Sequence, residues 1–348
     1  MELRFYTPEL NLIGIMENQT SLTWTRRYFE PGEFRLFAPV TEENLFLSQL
    51  GNILWLRGSD EAAVVEDRRL EESMIRNQLE IRGRFISSYM DRRLIRPKIS
   101  FTGRTEVAMR KILTDAVPIP LVELGDLNGF PETVAFEATY KNLLEYEKKL
   151  ARGSGIGFRF RPDFSSKKII FETYKGADRT RSSGGMARVV FSESYANLNN
   201  AIYRENNQLQ KTTVYIGGSG EGLERRFVSY GDEYTGLERR ELFVDARDLN
   251  EADYSAAEYE AVLLQRGHER HAEWMLSSSF ECETDASSNF VYKYNYDLGD
   301  IVTINKQSWG ISADMRITEI TEIYEHGSMQ VSPTFGDPLK ETIDWSDE

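Results

Sequence analysis

The sequence is poor in the residues that most often carry cross-links or metal chemistry. Its 348 residues include one cysteine, Cys282, and three histidines. A single cysteine excludes an intrachain disulfide and favours synthesis in a reducing compartment. No stretch approaches the roughly 18 apolar residues of a membrane span, and the N-terminus lacks the basic and apolar regions of a secretory signal. We therefore expect no membrane insertion by this chain alone.

A basic excess is also missing. The chain has 42 Lys and Arg against 56 Asp and Glu, a net charge of −14. Proteins that bind nucleic acid draw affinity from cations that neutralise phosphates, so we predict no sequence-specific nucleic-acid binding. An acidic wall would instead let DNA pass without sticking. The length predicts two or three domains, and 40% hydrophobic residues are typical of a folded protein.

Catalytic signatures are absent as well. The glycine-rich stretches 153–157 and 217–222 do not lead to Gly-Lys-Ser/Thr, so neither resembles a phosphate loop. No Gly-x-Ser-x-Gly nucleophile turn follows a predicted strand. With 56 carboxylates, pairs of acids carry no information about glycoside hydrolysis. We predict no catalytic residues, no cofactor and no enzymatic activity, with a cell-wall hydrolase as one alternative.

The only candidate metal ligands are His268 and His271, in the string Gly267-His268-Glu269-Arg270-His271. Zinc proteases place two histidines four residues apart on a helix, whereas these are three apart. The remaining histidine, His326, lies in a late turn beside Gly327. We interpret His268 and His271 as surface histidines on a helix and predict no metal site.

Most of the chain has the short, turn-bounded apolar runs of β-strands. We predict a mainly β fold with α+β insertions, containing two similar small β-barrels. Residues 1–97 form the first barrel, completed by strands near 187–203. Residues 98–186 form an inserted α+β domain, and residues 204–348 form the second barrel. The second barrel carries a helical insertion at about 250–277, with a long helix near 252–276.

One repeated sequence pattern supports the prediction of two similar barrels. The run Gly51-Asn52-Ile53-Leu54-Trp55-Leu56 is matched by Gly299-Asp300-Ile301-Val302-Thr303-Ile304. Each run leads, through a loop with a glycine, to a long charged strand. Two copies of one hairpin plan in a single chain indicate an internal duplication.

Aromatic residues cluster near the N-terminus: Trp24, Tyr28, Phe29, Phe34 and Phe37. They are typical of a half-buried sheet, and also of sugar-binding or subunit interfaces. A carbohydrate-binding or receptor-recognition module is therefore a second alternative.

Taken together, four segments resemble the tail-hub (baseplate hub or tail-tip) proteins of long-tailed siphophages, which are related to the baseplate hubs of contractile tails. They are strand-and-turn patterns whose order and spacing carry the resemblance. The segments are 21–36, 79–95, 174–198 and 296–320.

The resemblance implies a structural protein that works as a homotrimer. Each chain would give two similar barrels, so that three chains offer six units to a hexameric distal tail-tube protein above. Tail-tip spike or fibre proteins would bind below, and the ring would form or close the DNA channel. The expected location is the virion tail, after assembly in the bacterial host cytoplasm. Some relatives carry a C-terminal lytic domain, for which residues 336–348 are too few.

Overall fold

The fold is known from a computed structural model of the chain. It describes residues 1–73, 76–96, 98–181, 187–195, 197–222, 225–271, 274, 277–283, 290–325 and 327–336. The architecture is mainly β with α+β insertions, as predicted. His326 and the C-terminal residues 337–348 lie outside the described residues.

The first β unit precedes residue 85 and consists of two sheets packed around one core. Its strands are β1 (Leu3–Tyr6), β2 (Leu12–Met16), β3 (Ser21–Arg27), β4 (Glu33–Pro39), β5 (Ile53–Leu56), β6 (Ala63–Val64), β7 (Asp67–Ser73) and β8 (Arg76–Arg84), with helix α1 (Glu42–Leu47) after β4. One sheet has the order β2-β1-β5-β6, and the other contains β3-β4-β8-β7. Alternating side chains such as Trp24, Leu36 and Ile81 point between the sheets and are buried.

The inserted α+β region follows a 3₁₀ turn, Ile86–Arg92. Its elements are β9 (Leu94–Ile95), β10 (Ile99–Arg104), α2 (Thr105–Asp115), β11 (Val122–Leu124), β12 (Thr133–Ala138), β13 (Lys141–Asn142), α3 (Leu143–Ser154), β14 (Gly157–Asp163) and β15 (Lys168–Tyr174). The Asn142 side chain caps α3 by accepting from the N–H of Glu145 at 3.1 Å. The helix ends at Ser154, because Gly155 takes the left-handed conformation that terminates it.

The rest of the chain forms the second β unit and a small module inserted into it. The elements are β16 (Val190–Ser192), β17 (Asn199–Asn206), β18 (Thr213–Gly217), β19 (Phe227–Tyr230), β20 (Glu241–Asp245), α4 (Ala256–His271), β21 (Ser277–Glu283), β22 (Ile301–Lys306), β23 (Ile311–Glu325) and β24 (Ser328–Gly336). Strand β23 pairs with β22 along its first half and with β24 along its second, and so turns the corner of the second core.

Two expectations about the barrels need correction. The strands near 187–203 were expected to complete the first barrel, but β16 pairs with β22 and β17 pairs with β21 in the second unit. Val189, Phe191 and Leu198 are buried in the second core, which holds these strands there. Among the described residues, strand pairing closes neither unit into a full barrel, since each is an open pair of sheets joined at a corner.

The helical insertion packs on the sheet β19-β18-β20, and its helix begins later than predicted. The expected helix near 252–276 begins at Ala256, because Ser255 and Glu258 bond to each other's backbone N–H as a capping box. It ends at His271. In the described part of the chain, no helix is both long and apolar enough to span a bilayer.

Candidate assembly interface

The largest sheet contains the same four-stranded block twice, side by side. Its strand order is β17-β21-β24-β23 followed directly by β3-β4-β8-β7. Both blocks have the same register across their strands. One row of residues directly opposite each other across β3-β4-β8-β7 is Thr23, Arg35, Arg82 and Asp67. The equivalent row across β17-β21-β24-β23 is Ile202, Glu281, Thr334 and Glu319. The predicted internal duplication is thus visible in the pairing itself.

The turn before β5 and the turn before β22 share the same main-chain hydrogen bond. The N–H of Gly51 donates to the carbonyl of Val65 at 2.9 Å, and that of Gly299 donates to the carbonyl of Ile317 at 2.8 Å. Both glycines have positive φ, 91° and 92°. Glycine adopts this left-handed conformation without the steric cost that a Cβ imposes. The sequence echo therefore marks a true structural repeat.

The two blocks are joined by the antiparallel pair β3–β23. The register runs from Arg27 opposite Glu319 to Ser21 opposite Glu325. Across it, the Thr25 and Thr321 hydroxyls lie 3.2 Å apart, and Arg27 Nε lies 2.7 Å from a Glu319 carboxylate oxygen. The sheet therefore continues without a break from one unit into the other.

A buried polar network lies on the core side of this joint. Arg26 is 3% exposed and donates to the Tyr292 hydroxyl at 2.8 Å and to Asp297 at 2.7 Å. The Tyr292 hydroxyl in turn donates to the buried Glu322 at 2.7 Å. Burial alone would lower the pKa of Arg26, but Tyr292 and Asp297 raise it overall, so the guanidinium stays charged. Because a buried charge is costly without partners, this network fixes how the two units meet.

Glu61 belongs to the same region and carries a perturbed carboxyl group. It is 3% exposed, and one of its carboxyl oxygens has no hydrogen-bond partner among the described residues. Burial raises the pKa of Glu61 to about 7, while Arg26 and Arg159 act in the opposite direction. Since Arg159 belongs to β14, this site touches both the joint and the inserted region.

The sheet face that points away from the cores is polar, and its charges are paired. Arg27 contacts both Glu319 and Glu33, the latter at 2.8 Å. Glu80 lies between Arg35 and Arg82 and bonds to both. Burial works to lower the pKa of Arg27, but the two glutamates raise it overall. Arg27, Arg35 and Arg82 of this face are thus each held by a glutamate.

The strands at the two ends of this sheet are β7 and β17, and each has an open edge. Within the described part of the chain, no further main-chain hydrogen bond is found on the outer edge of β7 or on that of β17 from Ile202 to Asn206. Each edge also exposes an aliphatic side chain: Leu70 is 53% exposed and Ile202 is 52% exposed. Unpaired edges of this kind are templates for adding another strand.

A shallow open groove of about 650 Å³ runs beside β17. Tyr203 and Glu205 of that strand form one side, and the turn from Trp309 to Ala313 forms the other. In the first block, Trp24 and Arg26 occupy the positions of Tyr203 and Glu205, and there the joint to β23 covers them. The groove is therefore the uncovered counterpart of the internal joint.

The two candidate metal ligands lie elsewhere, in the small module. His268 stacks on Tyr230 with ring centroids 4.4 Å apart, and burial lowers its pKa. His271 Nε2 lies 2.8 Å from the carbonyl oxygen of Lys211, a position in which the ring nitrogen donates. Among the described residues, no group of His, Cys, Asp and Glu has the arrangement of a metal site. Both rings pack and bond within the module.

Three of the five residues of the N-terminal aromatic cluster are buried, whereas Phe29 and Phe37 are half-buried. Trp24, Tyr28 and Phe34 are at most 2% exposed and pack inside the two β cores. Sequence reasoning missed the network around Arg26, because its members come from β3 and from a loop some 270 residues later. It also assigned β17 to the first unit, although this strand pairs with β21 of the second.

An open sheet built from a repeated block, with free edges at both ends, is typical of proteins that assemble by adding strands. The comparisons with known proteins specify it further. The family described as Siphovirus ReqiPepy6 Gp37-like protein matches residues 2–337, and the chain belongs to this family. No curated protein is similar enough in sequence to match it.

Three solved structures share the fold over nearly the whole chain. The tail protein from Neisseria meningitidis MC58 has a TM-score of 0.63 at 12% identity, covering 97% of this chain and 96% of that one. Prophage tail protein gp18 from Listeria monocytogenes EGD-e has a TM-score of 0.58 at 14% identity, with coverages of 98% and 96%. The 43 kDa tail protein of prophage MuSo2 from Shewanella oneidensis has a TM-score of 0.55 at 12% identity, with coverages of 96% and 98%. The expected resemblance to phage tail proteins is confirmed at the level of family and fold.

Proposed function

We propose that this chain is the structural, non-enzymatic hub at the distal end of a siphophage tail. Three copies form a ring that receives a hexameric tail-tube protein on one side and tail-tip spike or fibre proteins on the other. The hub assembles in the bacterial host cytoplasm and remains in the virion tail. The observation that carries this proposal is the repeated four-stranded block, because two blocks per chain give three chains six similar units.

The charge pattern supports a DNA conduit. In such a ring the polar face of the sheet lines the channel. Its arginines are already held by glutamates, so few cations remain to neutralise phosphates. DNA would pass without binding.

The experiment is to count copies and symmetry. Mass photometry of the purified chain should give a species of three copies, and cryo-electron microscopy of that species should show threefold symmetry with six similar inner units. Co-expression with the tail-tube protein of the same phage should yield a complex of three hub chains and six tube chains. A chain that stays monomeric at micromolar concentration, alone and with the tube protein, would refute the proposal.

The hydrolase and receptor-binding alternatives each have a direct readout. Zymography on peptidoglycan should show no clearing, and a glycan array should stay blank. Clearing that is lost in a His268→Ala or His271→Ala variant would favour the hydrolase instead.

A further inference from the structure

We infer that the outer sheet face of the small module, residues 207–276, binds a tail-tip protein through a segment that has an apolar centre and basic flanks. This rests on the proposed function and deepens it by naming the surface for one partner. The module interrupts the second block alone, so a ring of three chains presents its face three times. A threefold tip protein matches that number, whereas a sixfold tube does not.

One face of the module's sheet is covered by α4 and the other is open. Val214 and Ile216 of β18 are buried in the core that the sheet shares with α4. Because side chains alternate along a strand, Tyr215 and its partner on β20, Phe243, point to the opposite face. Phe243 is 55% exposed there. The open face therefore presents aromatic rings to solvent.

Two phenylalanines of this face, Phe243 and the 53% exposed Phe227, hold an arginine between them. The Arg225 guanidinium lies on Gly217, since a Cβ added to that glycine would be 2.6 Å from it. The same guanidinium lies 5.4 Å from the ring centroids of both phenylalanines. It donates to the Gly217 carbonyl at 2.9 Å and to Asp245 at 2.6 Å. These groups are thus fixed before a partner arrives, which lowers the entropic cost of binding.

The apolar surface continues onto the loop 231–238 beside the face. Arg239 lies over the Tyr215 ring, 5.8 Å from its centroid, and donates to the Tyr234 carbonyl at 3.0 Å. This contact holds the loop next to the face, where Tyr234 is 39% exposed and Leu237 is fully exposed. Aromatic residues and arginine are enriched among the residues that dominate the energy of protein interfaces. An exposed surface of this composition is typical of a protein-binding site.

The charge around the rings selects the occupant. Three arginines, Arg225, Arg239 and Arg247, lie on or beside the face among five exposed carboxylates, those of Asp232, Glu233, Glu238, Glu241 and Asp245. The whole module has 14 Asp and Glu against 8 Lys and Arg. A second module, or the chain's own residues 337–348 with five acids and one lysine, would bring like charge to this surface. A partner that places Lys or Arg around an apolar centre is complementary to it.

The first test measures, by biolayer interferometry, how tightly the purified full chain binds the purified spike or fibre protein of the same phage. Phe227→Ser with Phe243→Ser should weaken the affinity about 100-fold, because both rings are lost from the centre of the contact. The control, Phe46→Ser, removes an equally exposed phenylalanine from α1 and should change the affinity less than about threefold. Equal losses in the two variants would refute the site.

Charge reversal tests the chemistry of the partner. Glu233→Lys with Glu238→Lys should weaken the affinity about tenfold, because the basic flanks of the partner then meet lysines. Glu9→Lys with Glu17→Lys makes the same change at exposed glutamates of the first unit and should leave the affinity unchanged. Tighter binding by the module variant would indicate an acidic partner and overturn the inference.

A photo-cross-link identifies the occupant directly. With p-benzoylphenylalanine in place of Phe243, irradiation of a mixture of hub, tube and tip proteins should label the tip protein, at a peptide in which Lys or Arg flanks apolar residues. A product with the tube protein, with a second hub chain or with residues 337–348 overturns the inference, as does the absence of any product. Trimeric hubs without the tip product leave the proposed hub intact. A monomeric chain that still gives the tip product keeps the surface and overturns the three-chain ring.

Discussion

Gly51 and Gly299 are the same residue of a repeated turn. Their φ values differ by one degree, and each donates its N–H to a main-chain carbonyl of its own unit, that of Val65 for Gly51 and that of Ile317 for Gly299. Their surroundings differ, however. A Cβ on Gly51 would meet nothing within 4 Å, whereas one on Gly299 would lie 2.4 Å from the Tyr28 ring. This pair separates the cost of backbone conformation from the cost of packing.

The first prediction uses that difference. Gly51→Ala should lower the free energy of unfolding by about 1 kcal/mol, the cost of a Cβ in a left-handed conformation. Gly299→Ala should cost about 2–4 kcal/mol, because the buried Tyr28 must also move. Urea denaturation of both variants gives the comparison. Equal losses in the free energy of unfolding would mean that Tyr28 moves away from the added Cβ at no energetic cost.

The second prediction concerns Arg26 at the joint. Arg26→Met should destabilise the chain by about 3–5 kcal/mol, because Asp297 loses its partner and the buried Glu322–Tyr292 network loses its cation. The control is Arg57→Met, which breaks an exposed ion pair with Glu2 and should cost less than about 1 kcal/mol. Similar unfolding midpoints for the two variants would show that the network does not hold the units together.

The third prediction follows from the raised pKa of Glu61, about 7 against an ordinary 4.5. The folded state holds this proton more tightly than the unfolded state does. The resulting stabilisation is complete below about pH 4.5 and is lost as the pH rises to 7. Glu61→Gln, which stays neutral, should therefore gain stability over the native chain, by about 3 kcal/mol at pH 8 and little at pH 5.

Thermal unfolding from pH 5 to pH 8 measures that gap. Glu145→Gln, a change at an exposed carboxylate of α3, should follow the native chain throughout. A gap for Glu61→Gln that does not widen with pH would contradict the assignment of a neutral buried acid.

The fourth prediction concerns the paired charges of the polar face. Glu80→Gln removes the carboxylate that Arg35 and Arg82 share, so the assembled protein should acquire affinity for duplex DNA. Because this affinity depends on phosphate contacts, it should fall steeply between 50 and 200 mM salt. Glu80→Gln with Arg82→Gln restores the native charge and should bind no better than the native protein. Fluorescence anisotropy reports both, and strong binding by the native protein would contradict a non-adhesive wall.

The fifth prediction keeps His268 and His271 as structural residues. His271→Ala should cost about 1 kcal/mol, since the ring loses its bond to the Lys211 carbonyl. Added Zn²⁺ should leave the melting temperature of the native chain unchanged. A zinc-dependent rise that disappears in His268→Ala would instead establish a metal site.

The sequence predicted local pieces of this fold better than their grouping. The echo of 51–56 in 299–304 became the repeated turn, since glycine and alternating apolar residues dictate local geometry. Strands β16 and β17 were assigned to the first unit because they follow the insertion in the chain, but their core partners come from residues 280–335. Sequence order does not reveal which core will bury a short strand. The capping box at Ser255 and Glu258 was a readable signal for the start of α4 and was overlooked.

The two halves of the repeat carry different attachments. The first block is followed by the α+β region up to Tyr174, whereas the second is interrupted between β17 and β21 by the small module. In a three-chain ring the inner wall would thus repeat six times while the outer rim repeats only three times. A tube of six subunits could then bind the six equivalent units of the inner wall, and a tip of three subunits could bind the three equivalent positions of the rim. A single polypeptide could thus connect a sixfold and a threefold assembly along one axis.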